Sequence, residues 1–403
     1  MTHGKSAFVR GILALALVLG LGAIAGPATH AQTFSVVHNF TGGLDGNEPM
    51  SGLVMAPSGN FYGTTSGGGE YSSGSVFELT PTGTLTTLYN FTGNADGGDP
   101  EAALVLVGGV LYGTTRQGGA HYSGAVFSLT LAGKETVIYS FGGAGDGATP
   151  NASLTRDASG NFYSTTFAGG AHGNGTVFKL TRPKAGSTAW TEQILYSFGA
   201  PDDGANPIAG VAIDKLGNLY GTTSAEGQYS YGNVYELVKS GTTYAEQILH
   251  QFELLSDGGT AYAGIVIDRN GDLFGGTTDG GLGGSNGGGT IFELTETNGT
   301  WSFTTIYSLP GWGVSGAFRN LLVESPNLIY GTTHCDGNNT AGTVFKLTES
   351  NGTWTYTSLH VFSGSDGQYL FSNPILDRTG DLYGTTQIGG QYGKGVAFKI
   401  ALR

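Results

Sequence analysis

Few residues in this 403-residue chain could do acid–base or ligand chemistry, and they are thinly spread. His121, His172 and His334 sit in Gly-rich or polar stretches, Arg116 stands shortly before His121, and Glu70 lies in a stretch of the same kind. Arg319 is a cation where related segments carry a carboxylate. A His or Tyr base with an Arg neutralising a substrate carboxylate would suit a polysaccharide lyase; Glu70 with a second acid would suit a glycoside hydrolase. No two of these residues stand at a spacing that defines a catalytic motif, so each is a bare candidate. The same stretches hold Tyr71, Tyr122, Tyr229 and Tyr392. A tyrosine offers a sugar an apolar plate and a polar tip, so these four, with His334, are the candidate ligand-binding residues; packing over a neighbouring element explains them equally well. Six Asp-Gly pairs, at Asp45, Asp96, Asp146, Asp203, Asp257 and Asp366, could hold Ca²⁺ or another hard cation. Asp-Gly is also a turn dipeptide in which the Asp bonds its own backbone, and that reading is preferred. No cofactor is required, Ca²⁺ being the one candidate. Cys335 has no base at a motif spacing and reads as inert.

The chain holds 73 Gly, 12 Pro and one Cys, which excludes a disulfide scaffold and a multi-Cys metal site. Lys5 and Arg10 precede an apolar run from Gly11 to Ala25, followed by small residues ending at Ala31. That is the layout of a secretory signal peptide over 1–31, leaving a single domain over 32–403. The run is short of the ~20 residues that span a bilayer, so no transmembrane span is expected after cleavage. Residues 1–31 hold two of the 17 basic and none of the 30 acidic residues, so the remainder carries 15 − 30 = −15. This balance excludes a nucleic-acid partner and leaves a secreted protein, extracellular or periplasmic, with a glycan or cell-envelope partner.

The elements that must position these residues are repeats. Tyr62-Gly63-Thr64-Thr65 recurs in variants led by Tyr112, Tyr163, Tyr220, Phe274, Tyr330 and Tyr383, at intervals of 50, 51, 57, 54, 56 and 53. Each unit carries four strand signals separated by turns; in the first they are 53–56, 60–65, 75–79 and 84–91. A period near 50 with four antiparallel strands describes a propeller blade. The last unit ends at Ile400 without a fourth strand, whereas Thr33 to Phe40 matches the fourth-strand pattern. We therefore expect an all-β, seven-bladed β-propeller closed by the N-terminal strand pairing into the last blade. His38, His250 and His360 stand where Tyr89, Tyr139, Tyr196 and Tyr307 stand in other fourth strands, and read as packed Tyr substitutes. Trp190, Trp301 and Trp354 share one place at the start of fourth strands and read as structural.

The third-strand wording of Gly74-Ser75-Val76-Phe77-Glu78-Leu79, the Tyr-Gly-Thr-Thr strand and the Asp-Gly loop resemble the Gloeobacter and Verrucomicrobia (GloVer) tandem repeat of bacterial secreted or surface proteins, over Phe34 to Ile400. The resemblance implies the repeat and a secreted setting but no activity.

In this architecture the loops between second and third strands share one face with the loops between blades, and the short hairpin turns lie on the other. Binding residues concentrate on loops held by a rigid scaffold, so function is expected on the long-loop face. A binding scaffold for glycan or cell-envelope material is preferred; the alternative is a glycan-active enzyme, lyase or glycoside hydrolase, built on the asymmetric His, Arg and Glu residues.

Overall fold

The computed structural model describes residues 32–142, 145–282, 287–309, 315–317, 321–335 and 341–402, and every regular element among them is a β-strand. The first blade runs Val54–Met55, Phe61–Thr65, Ser75–Leu79 and Leu85–Asn90, paired antiparallel in that order, and six further sheets repeat the pattern. The second strand is buried along its whole length because sheets pack on both its faces. Its glycine is a fitting requirement: a Cβ on Gly63 would lie 2.6 Å from the ring of Phe77, and one on Gly384 equally close to Phe398.

The two threonines of the repeated phrase do different work. The first donates its hydroxyl to a carbonyl of the next blade: Thr64 to Pro100 (2.9 Å), Thr114 to Ala152 (3.1 Å), Thr165 to Ala209 (2.9 Å), Thr222 to Ala263 (3.0 Å), Thr332 to Ser372 (2.9 Å) and Thr385 to Ser51 (2.9 Å). The last of these joins the seventh blade to the first. The fifth blade has Gly276 in this place and so cannot make the bond to the sixth. The second threonine stays within its blade, Thr65 reaching Ser75 and Thr166 reaching Thr176, both at 2.8 Å.

Seven apolar clusters each join two neighbouring sheets. Tyr62 and Val76 pack with Leu111 and Phe127; at the other end Tyr330 and Val344 pack with Phe398 and Ile400. The seventh cluster brings Tyr383 and Ala397 against Phe61 and Phe77, which closes the ring.

Closure is as expected. Thr33–Asn39 lies antiparallel to Val396–Ala401, with Phe34 opposite Ile400 and Val36 opposite Phe398. Its register shifts between Val36 and His38, leaving Val37 as a bulge. The first blade shifts in the same place, with Val76 opposite Tyr89 and Phe77 opposite Thr87, leaving Leu88 out. Thr33–Asn39 is thus the missing fourth strand in detail as well as in pattern.

Candidate functional site on the long-loop face

Six of the loops that leave the fourth strands carry the Asp-Gly pair, and each of the six begins with a turn closed by its Asp. Asp96 accepts from the Tyr89 hydroxyl (3.0 Å) and the Thr92 backbone N–H (2.8 Å). Asp146 and Asp203 accept from Tyr139 and Tyr196 at 3.0 Å, and from the Gly142 and Gly199 backbones. In three blades a histidine takes the place of the tyrosine: the Nε2 of His38, His250 and His360 stands 3.4, 2.8 and 2.9 Å from Asp45, Asp257 and Asp366. These histidines are Tyr substitutes, as expected, but they are bonded and not merely packed. The carboxylates are turned toward the outer strands, each on its own loop, and among the described residues no three of His, Cys, Asp or Glu come together to hold a metal ion. The turn role of the Asp residues is what their geometry supports. Asp203 is 2% exposed, so Asp203→Ala should cost about 1–3 kcal/mol by removing the acceptor of three part-buried donors; Asp45→Ala, in a more exposed turn, should cost less, and thermal unfolding of both variants checks the order.

Behind the tyrosine turns stands a feature that sequence reading missed. Glu135, Glu192 and Glu246, early in the next blade's outer strand, are half-buried beside Asp96, Asp146 and Asp203. Burial, with the neighbouring Asp charge second, pushes each from 4.5 up to about 7. Behind two histidine turns a phenylalanine stands instead, Phe303 stacked on His250 at 3.7 Å and Phe34 on His360 at 3.6 Å. The co-occurrence of Tyr with Glu at Tyr89, Tyr139 and Tyr196, and of His with Phe at His250 and His360, was the available signal.

The loops between second and third strands present one residue at one place. Two successive residues with positive φ, Gly68 and Gly69 in the first blade and Glu226 and Gly227 in the fourth, aim the chain outward. Two positions later come Tyr71, His121, His172, Tyr229 and Tyr392 on five blades. The loop is pinned to its own outer strand, the Glu70 N–H donating to Asn90 Oδ1 (3.2 Å) and the Gln391 N–H to Asn39 Oδ1 (2.8 Å). Tyr71, Tyr229 and Tyr392 are 51, 41 and 51% exposed, and Tyr122, beside His121 at a φ of 57°, is 73% exposed. Nearby carboxylates, Glu70 and Glu253, raise the Tyr71 and Tyr229 hydroxyls above their ordinary range. His121 and His172 lie over Gly142 and Gly199, where a Cβ would come within 2.4 Å of either side chain. The aromatic place is therefore repeated around the face, with no ring contact joining the four tyrosines among the described residues.

Nearer the axis the surroundings are mixed. Gly52 approaches Asn373 and Ala103 from neighbouring inner segments, and inner residues including Ala103, Ser153, Gly210 and Asn373 line a cavity of about 220 Å³. Arg116 is tied to Asp99 (3.4 Å) and Glu101 (3.3 Å); it is not hydrogen-bonded to His121, its neighbour in sequence. Burial raises Asp99 above its usual range although Arg116 opposes the shift. His334 stacks on Tyr369 at 4.5 Å and packs against Phe371 at 4.4 Å, and burial lowers it to about 4, so its imidazole is neutral at pH 7. Cys335 is half-buried. Tyr369 stands where other blades place Glu48, Asp99, Thr149 and Asn206, all with φ between 54 and 61°. Pro49, Pro100, Pro150 and Pro207 follow those four, a repeat visible in the sequence. Arg319 lies outside the described residues. Glu70, Arg116 with His121, and His172 fall on three successive blades, and among the described residues no two of them share a hydrogen bond or ion pair.

A family model described as the Gloeobacter/Verrucomicrobia repeat matches residues 11–216 and 209–403. No curated protein matches the chain by sequence. Among solved structures, a candidate 6-phosphogluconolactonase from Bacteroides uniformis is similar at 15% identity and a TM-score of 0.52, over 77% of this chain and 84% of its own. An ulvan lyase of the PL25 polysaccharide lyase family is similar at 8% identity and a TM-score of 0.52, over 86% of this chain and 90% of its own. At these identities the likeness is one of fold.

Proposed function

Because the chain belongs to the Gloeobacter/Verrucomicrobia repeat family, whose repeats here build a rigid ring, we propose that it is a secreted binding scaffold whose long-loop face takes glycan or cell-envelope carbohydrate. The observation that carries this reading is the exposed aromatic at one place on five blades. A soluble protein gains nothing in stability from presenting Tyr71, Tyr229 and Tyr392 to water, whereas a sugar gains a plate to stack on. Repetition supplies multivalency, so weak single contacts add into useful avidity along a polymer. The reading needs no cofactor, and residues 1–31 supply the export signal.

A glycan array followed by product analysis tests it. Tyr71→Ala, Tyr229→Ala and Tyr392→Ala should each weaken binding about 2- to 10-fold, the worth of one aromatic contact, and the triple variant should lose retention on the array. Binding without cleavage supports the scaffold. Release of fragments that stops in His121→Ala or His172→Ala would instead make the protein a glycan-active enzyme, lyase or glycoside hydrolase.

A further inference from the structure

The face of the hairpin turns is not uniform. Between the second and third blades it opens into a groove of about 480 Å³ lined by Tyr112, Arg156, Phe162, Arg182, Thr188 and Trp190. Arg156 pairs with Phe162 at a register where other blades place Met55, Leu106, Ile213, Ile267, Val323 and Leu376. One aliphatic position in the ring has become a cation.

The second cation comes from the adjoining turn. Nine residues separate the strand ending at Thr181 from the one starting at Thr191, against two between Ser240 and Thr243, and this long turn carries Arg182 and Lys184. Arg156 Nη2 and Arg182 Nη1 both approach Gly160, lying 3.1 and 3.4 Å from the point a Cβ there would occupy. The Arg182 backbone N–H donates to Asn161 Oδ1 (3.2 Å), whereas its guanidinium donates over a longer 3.5 Å to the Ser159 carbonyl. No carboxylate among the described residues lies within ion-pair distance of either guanidinium. Asp157, the acid next to Arg156 in sequence, is turned to the Asn161 side chain at 2.8 Å. Two like charges converging on Gly160 without a carboxylate at ion-pair distance, in a domain of net charge −15, are a binding arrangement for an oxyanion, which guanidinium forks take bidentately.

Trp190 supplies the rest of the site. It is stacked on Phe162 at 5.4 Å and meets Tyr112 edge-on at 6.1 Å, so its half-buried ring is fixed. A fixed indole beside paired cations, with Ser128, Thr136 and Thr188 hydroxyls in the lining, matches a ring that bears hydroxyls and one anionic group. We propose that this groove binds a sugar carrying a single oxyanion, whether carboxylate, sulfate or phosphate. A long polyanion is disfavoured by the overall negative charge, while a small one sees chiefly the local cations within a Debye length. The site shares no residue with the long-loop face and stands or falls separately from it.

Isothermal titration and tryptophan fluorescence of the purified full chain test the proposal with galacturonic acid, galactose 6-sulfate and galactose 6-phosphate, against galactose and sodium sulfate. At least one of the three anionic sugars should bind and shift the tryptophan emission, and their ranking identifies the anion. Arg156→Gln or Arg182→Gln should weaken binding about tenfold and the pair about a hundredfold, with unchanged melting because both side chains are exposed; Arg156→Lys should retain part of the affinity. Trp190→Phe should abolish the optical signal, and the Tyr71, Tyr229 and Tyr392 variants should bind as the parent does. Failure of all three sugars to bind, equal binding of galactose, or undiminished binding by the folded double variant would overturn it.

Discussion

A chain lacking residues 32–40 should fail to show a cooperative thermal transition. The deletion removes the whole outer strand of the seventh blade, from Thr33 opposite Ala401 to Asn39 opposite Val396. With it go Phe34, stacked on His360 and edge-on to Phe362 at 5.5 Å, and Phe40, fully buried and 5.3 Å from Phe77. Full burial of Phe40 contributes about 1.5–3 kcal/mol and the half-buried Phe34 and Val37 a smaller amount each, against ~5–15 kcal/mol for a typical fold. The loss also bares the Val396–Ala401 edge, which is then free to pair with another chain. Differential scanning calorimetry with light scattering checks this: the shortened chain should aggregate without a cooperative peak, and a melt like that of the intact chain would show that the strand is dispensable. The point variant Phe40→Ala isolates packing from pairing and should cost about 3–5 kcal/mol.

The second large effect concerns pH. Glu135, Glu192 and Glu246 have folded values raised from 4.5 to about 7 by burial first and by Asp96, Asp146 and Asp203 second. Between those values the folded chain binds more protons than the unfolded one, so stability falls as pH rises through the window. The penalty is absent below pH 4.5 and complete above about 7. Melting temperature should therefore be higher at pH 5 than at pH 8. The triple variant Glu135→Gln, Glu192→Gln, Glu246→Gln should lose most of this slope and be more stable than the parent at pH 8. Discounted for partial solvent exposure, each group contributes about 0.5–1 kcal/mol, or a few degrees for the three together. At lower pH the sign reverses. Burial raises Asp366, but hydrogen bonds from Ser363 and His360 outweigh it, and Asp377 and Asp381 are likewise held below the ordinary carboxylate range. Their contribution is present above that range and is lost as pH falls through their folded values. A melting profile that rises toward alkaline pH, or a triple variant with the parent's slope, would contradict the assignment.

The ring was legible because a repeat states its own period, and because the orphan strand at Thr33–Asn39 matched the vacancy after Ile400. What could not be read was side-chain direction. The tyrosine phrase was visible, but not that Thr64 bonds the next blade while Thr65 bonds its own. Nor could the consequence of Gly276 be seen, which removes that bond at the junction whose loop also lacks an Asp-Gly pair. The six Asp residues left a cation and a turn both open, and the sequence did not show that Tyr89 bonds Asp96 or that His250 bonds Asp257. Arg116 and His121 are close in sequence, yet the end of the second strand leaves Arg116 against Asp99 and Glu101 while the loop carries His121 outward over Gly142. The expectation that function belongs to the long-loop face rested on loop length alone, and the Arg156 and Arg182 groove shows why length is a partial guide: one extended turn on the other face was enough to build it.

The most direct test of the scaffold reading is a crystal structure of the chain soaked with whichever oligosaccharide the array selects. Density for sugar rings against Tyr71, Tyr229 or Tyr392, with the oligosaccharide intact, is the predicted result. Sugar density absent from all of these loops, or a cleaved oligosaccharide held between His121 and His172, would contradict it.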